Sequence, residues 1–463
     1  MRIPQLQTGT KIHLVGIGGA GLSAIARILL ERGCIVSGSD MTATKVTAAL
    51  AEGGAQIFSG HDASYVASAE LVLASSAVDD DHVELKAARQ LGIPVYRRRE
   101  FMPALLQAFD RIAVAGTHGK TTTTSMIIHI LQSAGKDPSF IVGGTMGNSG
   151  RNAGVGGGKS FVIEADEYDN MFHGLSPDLA VVTTLEHDHP DFFPTPADMN
   201  AAFERFVASI APGGLLVACA DDEAALMLAD KHRSAGSRVQ TYAIRSKDAD
   251  WRATDLHFDK EATTFTVLRR GDAQGSVSIS APGRHNVQNA LAALAVAHER
   301  GVRFDRSAKA LASFIATERR FEIRGLRDGV IVVDDYAHHP TEIEVNIQAA
   351  RLRYPRHQIW AIWQPHTFSR VRQFWSEFIA AFREADRVLV TPIYAAREEP
   401  LDGVSSEALV AEMKRQFDAT FTPDYDNAVA ILRQFAGAPA VVLIFSAGDA
   451  NRIADMYLND EAK

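Results

Sequence analysis

Lys120 lies in the run Arg111-Ile-Ala-Val-Ala-Gly-Thr-His-Gly-Lys-Thr-Thr-Thr-Thr-Ser125, where a short apolar stretch breaks at Gly116 and a helix opens after Gly119. These residue types in this order make a phosphate-binding loop. Backbone N–H groups at a helix N-terminus point at the anion, Lys120 adds a positive charge, and the Thr121 hydroxyl can reach a phosphate-bound Mg²⁺. Gly116, Thr117, His118, Gly119, Lys120, Thr121 and Thr122 are therefore the candidate nucleotide-phosphate residues. The usual pattern places a glycine five residues before the second one. Here that position is Val114, and Gly116 is only three before Gly119, so the loop is a shortened variant.

Further polar clusters follow apolar runs. Ser160-Phe-Val-Ile163 leads into Glu164-Ala-Asp-Glu-Tyr-Asp169, and Leu179-Ala-Val-Val182 into Thr183-Thr-Leu-Glu-His-Asp-His189. Carboxylates and a histidine beside a triphosphate are suitable Mg²⁺ ligands or supports for them. One acidic loop alone would be a solvated turn; several at strand ends after a phosphate loop point to one crevice. Asn286 and Asn289, in Pro282-Gly-Arg-His-Asn-Val-Gln-Asn-Ala290, are spaced to project together from a first helical turn, where capping is the alternative use. Toward the C-terminus, Asp334-Asp-Tyr-Ala-His-His-Pro340 and Gln364-Pro-His-Thr-Phe-Ser-Arg370 each end a strand pattern. Asp335, His338, His339, His366 and Arg370 are read from them as a substrate site.

Near the N-terminus, Lys11-Ile-His-Leu-Val15 is followed by Gly16, Gly18 and Gly21 in a G-x-G-x-x-G spacing, and a second strand pattern ends at Asp40. Taken alone this suggests NAD, with Asp40 on a ribose. The physics is less specific, because the glycines only let backbone approach a pyrophosphate on a helix N-terminus, and any nucleoside diphosphate would serve.

The elements that must position these groups alternate strand, polar loop and helix, which predicts an α/β protein with parallel sheets. With 463 residues, about three domains are expected. The predicted boundaries are 1–108 (Rossmann-like), 109–321 (a P-loop-type mixed sheet) and 322–463 (Rossmann-like). The stretch from Phe101 to Asp110 is the first candidate boundary, Gly147 to Gly158 a glycine-rich flexible connection or lid, and the region from Trp251 to Ser280 a set of antiparallel edge strands. The run Arg97-Arg98-Arg99 is a solvated patch or an anion contact near a domain edge.

Hydrophobic content of 46% and charged content of 22% are ordinary for a globular protein, and a net charge of −9 with no basic tract argues against a nucleic-acid partner. Two distant cysteines, Cys34 and Cys219, exclude a disulfide framework or thiolate zinc site and fit a reducing compartment. Met1-Arg-Ile-Pro-Gln lacks a signal-peptide apolar core, and no stretch approaches the ~20 apolar residues of a membrane span, so no membrane insertion and a cytoplasmic location are expected. A monomer and a homodimer are both compatible with the sequence.

In order, Gly116-Thr-His-Gly-Lys-Thr-Thr122, Glu164-Ala-Asp-Glu167, Asp188-His189, Pro282-Gly-Arg-His-Asn286 and Asp334-Asp-Tyr-Ala-His-His-Pro340 resemble the Mur ligases, ATP-dependent amino-acid-adding enzymes of peptidoglycan synthesis. The resemblance covers essentially the whole chain. His13-Leu-Val-Gly-Ile-Gly-Gly-Ala-Gly-Leu-Ser23 and Trp363-Gln-Pro-His-Thr-Phe-Ser-Arg370 look most like the branch that joins L-alanine to UDP-N-acetylmuramate. The resemblance implies that Gly16, Gly18, Gly19, Gly21, Asp40 and Ser75 hold the UDP-sugar. It implies ATP on the central domain, with Lys120 on the β/γ-phosphates, Asn286 and Asn289 near adenine, and Arg320 near the phosphates. Thr121 and Glu164 would bind one Mg²⁺ and His189 a second, while His338, His366 and Arg370 line the substrate side and His338 serves as catalytic base. Departures from the family pattern are Thr184 for asparagine, Ala337 for glycine, Thr367 for arginine and Tyr168 for serine. The cluster Glu164 to Asp169 also resembles the sister ligase that attaches a recycled tripeptide to the same sugar nucleotide. An NAD-dependent oxidoreductase is the remote alternative, and it leaves the phosphate loop unexplained.

Overall fold

The computed structural model describes residues 6–459; the Met1–Gln5 stretch, on which the signal-peptide reading partly rests, lies outside them. The fold is α/β with three domains, as the alternation of elements predicts. Its residues fall into two compact units, 1–185 with 199–242 and 292–307, and 186–198 with 243–291 and 308–463.

The first unit begins with a parallel five-stranded sheet: β1 (Lys11–Val15), β2 (Ile35–Asp40), β3 (Gln56–Ser59), β4 (Leu71–Ala74) and β5 (Val95–Arg97), in the order β3-β2-β1-β4-β5. β4 is apolar and buried throughout and β1 is buried from Ile12 to Val15, as expected where helices cover both faces of a parallel sheet. The chain order reverses beside β1, where such sheets leave a crevice at their carboxyl ends.

Seven more strands of this unit are β6 (Asp110–Ala115), β7 (Ser139–Met146), β8 (Arg151–Gly154), β9 (Ser160–Glu164), β10 (Leu179–Val182), β11 (Leu215–Cys219) and β12 (Arg238–Ala243). They run β12-β11-β10-β6-β9-β7-β8, all parallel except β8, which makes the sheet mixed as predicted. The helix Lys120–Ser133 is buried along nearly its whole length, four threonines included. Threonine lowers helix propensity through its branched Cβ, so packing on the sheet rather than intrinsic preference holds this helix.

One sequence expectation fails in this unit. Gly147 to Gly158 is not simply a flexible connection or lid, because Arg151–Gly154 pairs antiparallel with β7 and buries Ala153. Its glycines hid the strand, since they weaken any periodicity signal. The candidate boundary stretch Phe101 to Asp110 is helical over its first half. Phe101, Met102, Leu105 and Leu106 bury one face of the helix Arg98–Leu106. Pro103 lies inside it and cannot donate to the Arg99 carbonyl. That carbonyl abuts Gly174 instead, 2.2 Å from where a Cβ would stand.

The second unit holds β13 (Trp251–Phe258), β14 (Thr263–Arg269) and β15 (Asp272–Ile279), an antiparallel meander whose alternating burial matches the alternating sequence. It also holds β16 (Glu322–Arg327), β17 (Val330–Asp335), β18 (Gln358–Trp363), β19 (Arg387–Val390), β20 (Ala419–Phe421) and β21 (Ala440–Phe445), in the order β16-β17-β21-β18-β19-β20. Only β16 runs antiparallel to its neighbour. Every residue of β21 is buried, with Trp363 packing on Phe378 and Phe382 on one face of the sheet and Trp360 on the other.

Candidate active site

The phosphate loop leaves β6 between β9 and β10, where the chain order reverses again. Gly119 adopts φ +79° as the N-cap and offers no side-chain cap, so the first-turn amides of Lys120–Ser133 face outward as an anion site requires. Gly116 has φ +135°, and a Cβ there would lie 1.9 Å from Thr183 Oγ1. Only glycine fits, which explains why the shortened loop keeps this one. Thr183 donates its hydroxyl to the His118 carbonyl at 2.6 Å, and Thr184 accepts from the Thr117 and His118 amides at 2.7 and 3.2 Å. The loop is thereby pinned to the end of β10, and Thr184 supplies these contacts through its carbonyl and hydroxyl.

Glu164 ends β9. Its carboxylate accepts from the Thr121 hydroxyl at 3.0 Å and from the Gly143 amide at 2.6 Å. A Cβ on Gly143 would sit 2.7 to 2.9 Å from that carboxylate, so β7 must be bare at this point. A hydroxyl and a carboxylate held together are hard oxygen donors, the set that Mg²⁺ prefers. The donor chemistry therefore fits the metal expected at Thr121 and Glu164.

Lys120 Nζ donates to Glu167 Oε1 at 2.8 Å, to the Gly116 carbonyl at 2.6 Å and to the Thr117 carbonyl at 3.0 Å. Burial works against the ammonium charge, but Glu167, with Glu164 and Asp166 behind it, outweighs burial and keeps the lysine pKa above its ordinary value. Glu167 had no role assigned from sequence, although its place three residues after Glu164 was a usable signal.

In the first sheet, Gly16, Asp40 and Ser75 stand at the carboxyl ends of neighbouring strands β1, β2 and β4. The Gly18 amide donates to Asp40 Oδ2 at 2.9 Å, and the Thr42 amide to Asp40 Oδ1 at 3.2 Å. Asp40 thus braces the glycine loop directly. Gly19 caps the helix Ala20–Glu31 with no side-chain bond. Behind Ser39, buried Glu84 accepts from His13, His61 and the Ser39 hydroxyl, a network with no signature in the sequence. Arg97 and Arg98 prove not to be a solvated patch. Arg97 bonds Asp80 and the Ser75 and Val78 carbonyls, while Arg98 lies against Gly21 and pairs with Asp166 at 2.7 Å.

The second unit collects the other candidates. Arg370 donates through Nε and Nη2 to Asp188 Oδ1, at 3.1 and 2.8 Å, both side chains being 6% exposed. Asp188 is held well below the usual carboxylate range: burial opposes its charge, and Arg370 with three nearby histidines prevails. Arg370 also donates to His366 Nδ1 at 3.3 Å, and the His338 and His366 rings lie 5.9 Å apart. Burial and Arg370 push His338 down to about 3 and His366 to about 4, so both are neutral at physiological pH. His338 Nδ1 bonds the Tyr336 carbonyl at 3.0 Å, which leaves Nε2 as the acceptor nitrogen. His338, His366 and Arg370 are therefore brought together, and His189 adjoins them in sequence through Asp188.

Asp335 and His339 also carry local structural contacts. Asp335 accepts from the Phe321 and Ala337 amides and is raised to about 6 by burial, while His339 caps the helix Pro340–Arg353. Both brace the turn, because a short acceptor at a strand-to-helix junction satisfies amides that would otherwise be orphaned. The strands bearing His338 and His366 are also not adjacent; β21 runs between them and contributes Ser446, which bonds Gln364 at 2.7 Å. Asn286 bonds the Pro282 carbonyl and accepts from Asn289 at 3.1 Å, both nearly buried. Arg320 lies 3.7 Å from Glu342 and over the Tyr336 ring. Thr367 holds φ +62°, a strained value for a branched residue at the start of the helix Phe368–Gln373.

Three family models match in succession: "Mur ligase family, catalytic domain" over residues 11–110, "Mur ligase middle domain" over 114–297, and "Mur ligase, glutamate ligase domain" over 319–448. The chain belongs to the Mur ligase family. This Mur ligase is 40% identical over 450 residues, 97% of each chain, to the UDP-N-acetylmuramate–L-alanine ligase of Geobacter sp. strain M21. It is 43% identical over 440 residues, 95% of this chain and 93% of the relative, to the enzyme of that name from Renibacterium salmoninarum. Among solved structures it resembles the UDP-N-acetylmuramate–alanine ligase of Thermotoga maritima, with TM-score 0.81, 29% identity and coverage of 97% and 98%. A murein peptide ligase from Psychrobacter arcticus matches with TM-score 0.71, 25% identity and the same coverage. No helix among the described residues is long and apolar enough to cross a membrane.

Proposed function

We propose that this Mur ligase joins L-alanine to the carboxylate of UDP-N-acetylmuramate with cleavage of ATP to ADP and phosphate, a step of peptidoglycan precursor synthesis. The carrying observation is full-length identity of about 40% to ligases of that name, on a chain that keeps a phosphate loop and two strand-end clusters. The sister peptide ligase reading is weaker, because the structural likeness falls from a TM-score of 0.81 to 0.71. Nothing in the glycine loop requires NAD, since Asp40 is committed in part to the Gly18 amide.

The muramyl carboxylate oxygen attacks the γ-phosphorus of ATP, ADP leaves, and an acyl phosphate forms. The neutral amine of L-alanine then attacks the acyl carbon, and phosphate departs with the oxygen it gained. Lys120 is the cation for the β/γ-phosphates, and positioning with charge neutralisation is most of what the protein contributes. Thr121 and Glu164 would hold one Mg²⁺ and His189 a second. Mg²⁺ when bound offsets charge on the phosphate oxygens. His338 presents a neutral Nε2 to the amine. With a pKa near 3 it orients the amine and holds a proton only in passing, so solvent takes the proton finally. His366 and Arg370 line the same side, Arg320 serves the phosphates, and Asn286 with Asn289 faces the adenine. Gly16, Gly18, Gly19, Gly21, Asp40 and Ser75 hold the UDP-sugar. Domain boundaries near residues 108 and 321, a cytoplasmic location and a monomer or homodimer complete the reading.

ADP release measured with UDP-N-acetylmuramate and either L-alanine or the L-alanyl-γ-D-glutamyl-diaminopimelate tripeptide separates the two ligases. L-alanine is expected to support turnover and the tripeptide not; the reverse result would assign the chain to the peptide ligases.

A further inference from the structure

An ammonium has three donors and no acceptor, and in this protein all three donors of Lys120 are engaged: two loop carbonyls and Glu167. A phosphate can therefore be contacted only if one partner lets go. The carbonyls of Gly116 and Thr117 are fixed by the loop, which Gly116 at φ +135° and the Thr184 contact hold in shape. Glu167 instead borders the helical turn Tyr168–Gly174, whose Asp169 and Asn170 sit at φ +56° and +51°. It is the charged partner, 1% exposed, and the one that an incoming phosphate would compete with directly.

We propose that Glu167 is a positioning residue that holds Lys120 in the nucleotide-free protein and is displaced from the ammonium by the nucleotide's phosphates. The proposal rests on the reading of this loop as the ATP site. Holding the lysine has two consequences. It compensates a buried charge that would otherwise destabilise the loop. It also places a third carboxylate beside Glu164 and Asp166, so a metal-free nucleotide meets net negative charge, whereas a metal-bound one brings cations with it. Glu167 thus opposes phosphate binding and makes capture of the nucleotide depend more steeply on metal.

Calorimetric titration of the full chain with ADP, in EDTA and in excess Mg²⁺, tests this without turnover. Glu167→Gln keeps an oxygen acceptor for Lys120 and removes the competing charge. Its ADP affinity in EDTA is expected to rise about ten-fold, with a smaller gain in Mg²⁺, so the ratio of the two affinities shrinks. Affinity in EDTA that is unchanged or weaker would overturn the proposal. Should Glu167→Gln fail to fold, Glu167→Asp, which lengthens the ion pair, is expected to bind ADP more tightly than the natural protein in EDTA, and unchanged binding would overturn the proposal equally. Absence of ADP binding by the natural protein in both conditions would instead remove the ATP reading of the loop.

Discussion

Lys120→Ala is expected to reduce substrate-dependent ADP formation on the order of a thousand-fold, the usual scale for losing one preorganised charge at a transferring group. The expectation follows from where the lysine stands. It opens the helix Lys120–Ser133 on a glycine N-cap, at the carboxyl end of β6, and is held charged by Glu167. Alanine removes the only cation within the loop itself and leaves Glu167 buried beside two carbonyls, so that carboxyl is expected to take up a proton. A melting curve close to that of the natural protein, together with lost turnover, would locate the effect in the chemistry. Near-normal turnover would contradict the phosphate-loop assignment.

The second large effect is on stability. Asp188→Ala is expected to destabilise the second unit by about 3–5 kcal/mol, because Arg370 would keep a buried charge without its compensating carboxylate. The pair is costly to break and inexpensive to replace. Asp188→Leu with Arg370→Met should therefore lose much less than the sum of the two single changes, although substrate turnover should still fail without Arg370. Denaturant midpoints of the four proteins measure this. The pH dependence has a definite sign. Asp188 is depressed below its unfolded value, so its contribution is complete above the ordinary carboxylate range and is lost as pH falls through its folded value. A double-variant loss equal to the sum of the two single losses would show that the pair carries no coupling.

Much of each cluster was legible because its chemistry sits at the ends of apolar runs. β6 with Lys120, β9 with Glu164, β17 with His338 and β18 with His366 each begin as buried strands and end in polar residues. What escaped the sequence reading depends on distant packing. Arg98 looked like one of three surface arginines, yet it lies beside Gly21 and pairs with Asp166, sixty-eight positions away. β7 was obscured by the glycines that let it approach Glu164, so the feature that serves the site is the one that blurs the strand pattern. His338 appeared suited to act as a base by residue type alone. Its burial next to Arg370, which pushes its pKa down to about 3 and favours the neutral ring, has no signature in the sequence.

The acyl-phosphate route makes one oxygen atom traceable. UDP-N-acetylmuramate labelled with ¹⁸O in both carboxylate oxygens, turned over with ATP and L-alanine, should deliver one ¹⁸O to each inorganic phosphate released and retain one in the amide carbonyl. Mass spectrometry of the phosphate and of the UDP-N-acetylmuramyl-L-alanine product reads both. Unlabelled phosphate, or ADP formed without an alanyl product, would contradict ligation through carboxylate phosphorylation.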